Sequence, residues 1–166
     1  MRKFIGLGLL LGMFSAAAFA QEMGGTPKAE IFGGYQYTRF DGGTNANGWN
    51  SAVTGNLNNW FGVAADFSGA YKNGGKFHTA MAGPVFSYRK SERVTPFAHV
   101  LVGGAWASGG GISENGFAMG VGGGLDVNLN KHVAWRLVQG DWLLFRAGGE
   151  TDKKNARIST GIVFRF

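Results

Sequence analysis

The chain has 166 residues, of which 30 are glycine, three are proline and none is cysteine, and its formal net charge is +6. That length suits one domain, the lack of cysteine excludes disulfides and thiolate metal sites, and the scarce proline argues against a proline-rich linker. The basic excess is mild and comes with no basic helix or aromatic-basic platform, so it is not the footprint of a nucleic-acid-binding protein.

In chain order, the first element is a short basic region, Met1-Arg2-Lys3, followed by an apolar run from Phe4 to Phe14 and by Ala18-Phe19-Ala20 before Gln21. This is the pattern of a secretory signal peptide over 1–20, removed on export. The run is too short, and wrongly flanked, for a membrane-spanning helix. Gly6, Gly8 and Gly12 mimic a dinucleotide loop or a helix-dimer spacing, but no strand precedes them and no full span contains them, so they are signal residues. Cleavage there leaves a single domain over 21–166, with 14 basic against 10 acidic side chains once Arg2 and Lys3 are gone.

Beyond the signal no stretch approaches the ~18 consecutive apolar residues of a membrane helix. Glycines interrupt nearly every window, each at ~1 kcal/mol in a helix interior. A period of two recurs instead. In "FAMGVGGGLDVNL", Phe117, Met119, Val121, Leu125, Val127 and Leu129 share one parity, while Ala118, Gly120, Gly122, Gly124, Asp126 and Asn128 share the other. Such a strand has one greasy face and one small or polar face. The pattern predicts strands near 28–39, 48–58, 59–72, 76–89, 94–107, 115–129, 133–147 and 155–166. The odd connections ("DGGTNANG", "KNGG", "SGGGISEN", "GGETDKKN") read as loops of roughly five to ten residues, and the even ones (Asn58-Asn59, "KSERV", "NKH") as tight turns. The expected fold is all-β, an eight-stranded antiparallel up-and-down barrel.

Two such barrels are possible, one with its apolar face inside around a ligand and one with that face turned to lipid. Volume decides. The apolar parity carries Tyr35, Tyr37, Trp49, Phe61, Phe67, Tyr71, Phe86, Tyr88, Trp106, Phe117, Trp142, Phe164 and Phe166. An eight-stranded interior is just wide enough for ordinary side chains and cannot hold so many rings. Charge agrees: the outward candidates Arg39, Arg136 and Arg146 lie near strand ends, where long side chains reach headgroups, and Asp66, Asp126 and Asp141 point inward. One strand resists. In "VAWRLVQGDWLLF", placing Gln139 and Asp141 inside also sends Trp135, Leu137 and Leu143 inside, unless a bulge near Gly140 resets the parity.

The chain closes on "TGIVFRF". Thr160, Gly161, Phe164 and the terminal Phe166 resemble the C-terminal assembly signal of bacterial outer-membrane proteins, which implies that the barrel-insertion machinery reads this strand. Strand count, signal peptide and the "AGP" within "TAMAGPVFSYR" resemble the OmpA/OmpX-type eight-stranded outer-membrane barrel family over the whole mature chain. The resemblance implies a cell outer-membrane location in a Gram-negative-type bacterium. It also implies contacts with outer-membrane lipids and lipopolysaccharide, and a monomer. Nothing follows Phe166, so the peptidoglycan-binding domain of OmpA itself is not expected.

The expected lumen network comprises Glu30, Asp66, His99, Asp126, Gln139, Asp141, Arg157 and Arg165, with Glu30–Arg165 and Asp141–Arg157 as pairs. Its structural reading is a plug of hydrogen bonds and ion pairs; the alternative is a narrow path for ions or small solutes. A third reading, a lipid A or phospholipid modifying enzyme, needs a serine activated by histidine and a carboxylate. The family's His-x-Ser arrangement is missing, so no catalytic residue is assigned and the protein is read as a non-enzyme. His78, His99 and His132 do not cluster, so neither a metal site nor a cofactor is expected. Arg146, Lys153, Lys154 and Arg157 form a candidate ring for lipopolysaccharide phosphates, with Asp152–Lys154 placed in a loop.

Overall fold

Among residues 25–72, 74–109 and 112–166, which the computed structural model describes, eight antiparallel strands close into a barrel in sequence order. The signal peptide expected at 1–20 lies outside the described residues. The strands are β1 (Ala29–Arg39), β2 (Asn45–Asn56), β3 (Phe61–Lys72), β4 (Gly75–Ser87), β5 (Val94–Gly109), β6 (Ile112–Asn128), β7 (Val133–Ala147) and β8 (Glu150–Arg165). Closure comes from β1 pairing with β8, in a register from Glu30↔Arg165 to Arg39↔Ala156. The last residue is part of that seam: Phe166 N donates to Ala29 O at 2.9 Å, and Lys28 N to Phe166 O at 2.7 Å.

The inversion read from the alternation holds. Trp49, Phe67, Phe86, Trp106, Phe117, Trp142 and Phe164 are exposed on the outer wall, and Glu30, Asp66, Asp126, Asp141 and Arg157 are buried within. The interior is nevertheless more apolar than expected. Met81, Val85, Phe97, Leu101, Ala105, Ala118 and Leu143 form one inward cluster, and Phe32, Ala52, Ala134 and Val163 a second. Apolar side chains concentrate on β4 and β5, with Met81, Val85, Phe97, Leu101 and Ala105, while β6 and β7 carry both kinds and β8, β1 and β2 present Asn155, Arg157, Ser159, Gln36, Thr38 and Asn50.

The connections correct the expected alternation of long loops and tight turns. The residues that read as long odd loops mostly extend the strands: β2 begins at Asn45, β6 at Ile112 and β8 at Glu150, leaving 40–44 and 148–149 as the connections before β2 and β8. Composition misleads here because a glycine- or asparagine-rich stretch still pairs when a partner strand runs alongside it. Gly148 and Gly149 alone make the last turn, both at positive φ (56° and 90°), as a two-residue hairpin of the primed type requires. Asp152, Lys153 and Lys154 thus lie on β8, not in a loop.

The irregular strand is resolved by a bulge, but not near Gly140. On β7, Leu137 is the extra residue between Leu125↔Val138 and Asp126↔Arg136, and on the other side Arg136↔Gly161 is followed by Gln139↔Ser159. Leu137 and Val138 both face outward. Trp135 and Leu137, which strict alternation would have sent inside, therefore lie on the outer wall, while Gln139, Asp141 and Leu143 stay within.

Candidate functional site

The lumen holds a continuous chain of charged and amide side chains. It begins at the end of the barrel where Ala29 meets Phe166 and where Arg89 forks onto Glu30 (Nη1–Oε1 3.0 Å, Nη2–Oε2 3.3 Å). Arg165 Nε donates to the same Glu30 Oε1 at 2.9 Å, and its Nη2 lies 3.6 Å from Asp126 Oδ2. Arg136 forks onto Asp126 (Nε–Oδ1 2.8 Å, Nη2–Oδ2 3.2 Å) and donates through Nη1 to Gln139 Oε1 at 2.8 Å. Gln139 Nε2 passes the chain on to Asp141 Oδ2 at 2.9 Å.

Asp141 is the junction. It accepts from Arg157 Nε at 2.7 Å, and its other oxygen accepts from His99 Nε2 at 2.7 Å. Arg157 then forks onto Asp66 across the barrel (2.8 and 3.3 Å), and Asn50 Nδ2 donates to Asp66 Oδ2 at 2.8 Å. Four carboxylates (Glu30, Asp66, Asp126, Asp141) thus face four guanidinium groups (Arg89, Arg136, Arg157, Arg165). Such matching matters in a low-dielectric interior, where an uncompensated ion costs several kcal/mol. A cavity of about 20 Å³ remains beside this network, roughly the room of one water.

The eight residues expected in the lumen are all buried there, and both expected ion pairs form. Arg136 is a correction: expected to snorkel outward near a strand end, it is buried, with its guanidinium 4.4 Å from the Phe32 ring centroid and 4.2 Å from that of Phe97. A signal for it existed. Arg136, Gln139 and Asp141 can share one face only if a bulge falls between the first two, which the adjacent Leu137-Val138 supplies. Arg89, the last residue of the strand expected over 76–89, was left out of the lumen set, yet it continues the inward parity of Val85 and Ser87. Arg157 corrects the candidate lipopolysaccharide ring. It is 1% exposed and held by two carboxylates, so it cannot reach a phosphate outside. Arg146, Lys153 and Lys154 remain exposed.

The residues of the terminal motif hold the seam and the bulge. Thr160 donates its hydroxyl to Arg136 O at 2.9 Å and accepts from Trp135 Nε1 at 3.3 Å, capping the bulge from across the ladder. Gly161 faces inward against Gly34, and a Cβ there would lie 2.3 Å from Gly33 O. Phe164 and Phe166 point outward. Elsewhere the Ser68 hydroxyl bonds Thr79 at 2.7 Å rather than a histidine, and His78 lies on the outer wall within reach of Tyr71 OH at 3.1 Å.

No family model and no curated protein matches the chain. Solved structures do. Neisserial surface protein A (NspA) superposes with a TM-score of 0.64 at 14% identity, over 83% of this chain and 96% of that one. The N-terminal β-barrel domain of Pseudomonas aeruginosa OprF gives 0.57 at 11% identity, over 84% and 98%. Ail, the attachment invasion locus protein of Yersinia pestis, gives 0.55 at 22% identity, over 85% and 99%. The chain therefore has the fold of the eight-stranded outer-membrane barrels of OmpA/OmpX type.

Proposed function

We propose that the protein is a small integral barrel of the bacterial outer membrane, with a structural and surface-interacting role. One observation carries this reading: the rings face out while a charge-matched network occupies the lumen. An aqueous exterior would leave Trp49, Phe67, Trp106, Phe117, Trp142 and Phe164 in water, an apolar area far beyond what a soluble monomer tolerates. In hydrocarbon the same band is favourable, and the closed ladder leaves no open edge. The network reads as a plug that stiffens the barrel. At the mouth opposite Phe166, Arg146, Lys153 and Lys154 present cations at headgroup height to lipopolysaccharide phosphates. One solved form of the similar Ail is a complex with the heparin analogue sucrose octasulfate, a polyanion. The membrane assignment is tested by folding in detergent. Heat-modifiable gel migration with a β-rich circular dichroism spectrum supports it; a soluble monomer without detergent overturns it.

A second reading, a narrow path for ions or small solutes, has its own support. Gln36 Oε1, Thr38 Oγ1, Asn50 Oδ1 and Ser159 Oγ, all buried on the β8–β1–β2 wall, have no hydrogen-bond partner among the described residues. A row of such groups suits a file of water. Planar-bilayer recordings separate the two, because a plug gives no steady conductance.

A further inference from the structure

We propose that the mouth of the barrel opposite Phe166 is a binding cup for a small hydrophobic cation, a ligand with an aromatic or alkyl body and an ammonium or iminium head. The cup has a volume of about 480 Å³, within the roughly 300–1,000 Å³ typical of small-molecule sites. Its base is aromatic. Phe77 and Phe145 meet edge to face at 4.8 Å, and Phe40 closes on Phe77 at 5.1 Å from the 40–44 turn. Ala46, Ala70 and Ala105 line the neighbouring wall and leave the space open. Rings of this kind favour an apolar body and attract a cation to their faces.

The charge around that base sets the sign of the ligand. Glu114, Glu150 and Asp152 line the cup from the inward parity of β6 and β8, and Asp41 joins them from the turn. Among the inward-facing residues of the strands that line it, Lys72 is the cation; Lys76 and Arg146 sit on the outward parity at the rim. Deeper in the lumen every carboxylate is matched by an arginine, but none of these four takes part in an ion pair among the described residues. They are exposed rather than buried. Four carboxylates against the three lining cations Lys72, Lys76 and Arg146 leave the cup with an excess of negative charge over an apolar base, the complement of a hydrophobic cation.

The test uses the full-length barrel in nanodiscs of zwitterionic phosphatidylcholine, with ethidium as the probe and 1-anilinonaphthalene-8-sulfonate as its anionic counterpart. Expected is saturable ethidium fluorescence above that of empty discs, with affinity reduced at least about tenfold in the Glu114→Gln/Glu150→Gln/Asp152→Asn variant. Lys131→Gln, at the opposite end, leaves it unchanged. Should the triple variant not fold, raising the salt concentration weakens ethidium binding to the unaltered protein, because these charges are solvent-facing and screened. Ethidium signal equal to that of empty discs overturns the proposal. So does binding indifferent to both salt and the triple variant, or equally tight binding of the anionic dye. Heat-modifiable migration, read on the same samples, reports the membrane barrel separately, so failure of the cup and failure of the envelope assignment are distinguishable.

Discussion

Arg157 and Asp66 stand 91 residues apart in the chain and meet at 2.8 Å in the middle of the lumen. Their strands, β8 and β3, are not neighbours in the sheet, so this pair spans the barrel and ties opposite walls.

Breaking that tie leaves buried carboxylates uncompensated. Arg157→Met is expected to destabilise the folded barrel by about 3–5 kcal/mol, because Asp66 and Asp141 lose their common partner. Adding Asp66→Leu and Asp141→Leu to Arg157→Met removes the stranded charges and recovers most of the loss. Urea unfolding in lipid vesicles measures both, and a single variant as stable as the parent would remove the network from the stability argument.

The bulge on β7 sets which side of the wall Arg136 occupies. Deleting Leu137 leaves Arg136 and Gln139 two positions apart, so plain alternation keeps both inside and pairs Val138 with Leu125 and Thr160 without a bulge. Deleting Gly140 instead makes Gln139 and Asp141 adjacent, which sets them on opposite faces and breaks their hydrogen bond. The Leu137 deletion is expected to fold with the Arg136–Asp126 fork kept, whereas the Gly140 deletion is expected to fold poorly. Folded yield by gel shift distinguishes them.

Gly161 has no room for a side chain. A Cβ would sit 2.3 Å from Gly33 O and 2.5 Å from Gly34 Cα. Gly161→Ala is expected to force β8 away from β1, lowering folded yield in detergent, with no insertion machinery present. Phe166→Ser leaves the ladder bonds of the terminal residue in place. It is expected to fold in detergent but to insert slowly in cells, if the machinery reads the terminal ring. Comparing refolding in vitro with outer-membrane yield in vivo separates the two.

The exposed cations predict a salt-sensitive surface. Arg146→Gln, Lys153→Gln and Lys154→Gln together are expected to weaken lipopolysaccharide binding and to flatten its dependence on ionic strength. Arg157→Lys, buried within, leaves that binding unchanged in whatever fraction folds. Titration of lipopolysaccharide against detergent-folded protein at two salt concentrations checks both.

The parts of the fold legible in the chain were those that repeat locally. Phe117, Met119 and Val121 alternate with Ala118, Gly120 and Gly122 whatever the distant partners are, so the strand and its two faces follow from neighbours alone. The glycine- and asparagine-rich stretches were misread because turn composition lowers strand propensity without forbidding it. Asn45–Gly48 and Glu150–Lys154 become strand because a paired edge runs beside them. Arg89 and Arg136 eluded the pattern for a different reason: one ends the strand expected over 76–89, where a long side chain can reach lumen or water alike, and the other sits before a bulge whose existence, but not position, the polar residues implied.

The amino-acid order by itself determined the envelope: eight strands, bulky rings on one face, small and ionic groups on the other. Side-chain direction in a strand depends only on position modulo two, and hydrocarbon and lumen sort the faces by volume and charge. Which charge meets which was decided only by the tertiary structure. Closing the sheet fixes the stagger of each strand against the next, and a single extra residue at Leu137 changes which groups enter the interior. The fork from Arg157 to Asp66 depends on the cumulative register of four strands, which no local window of the chain contains.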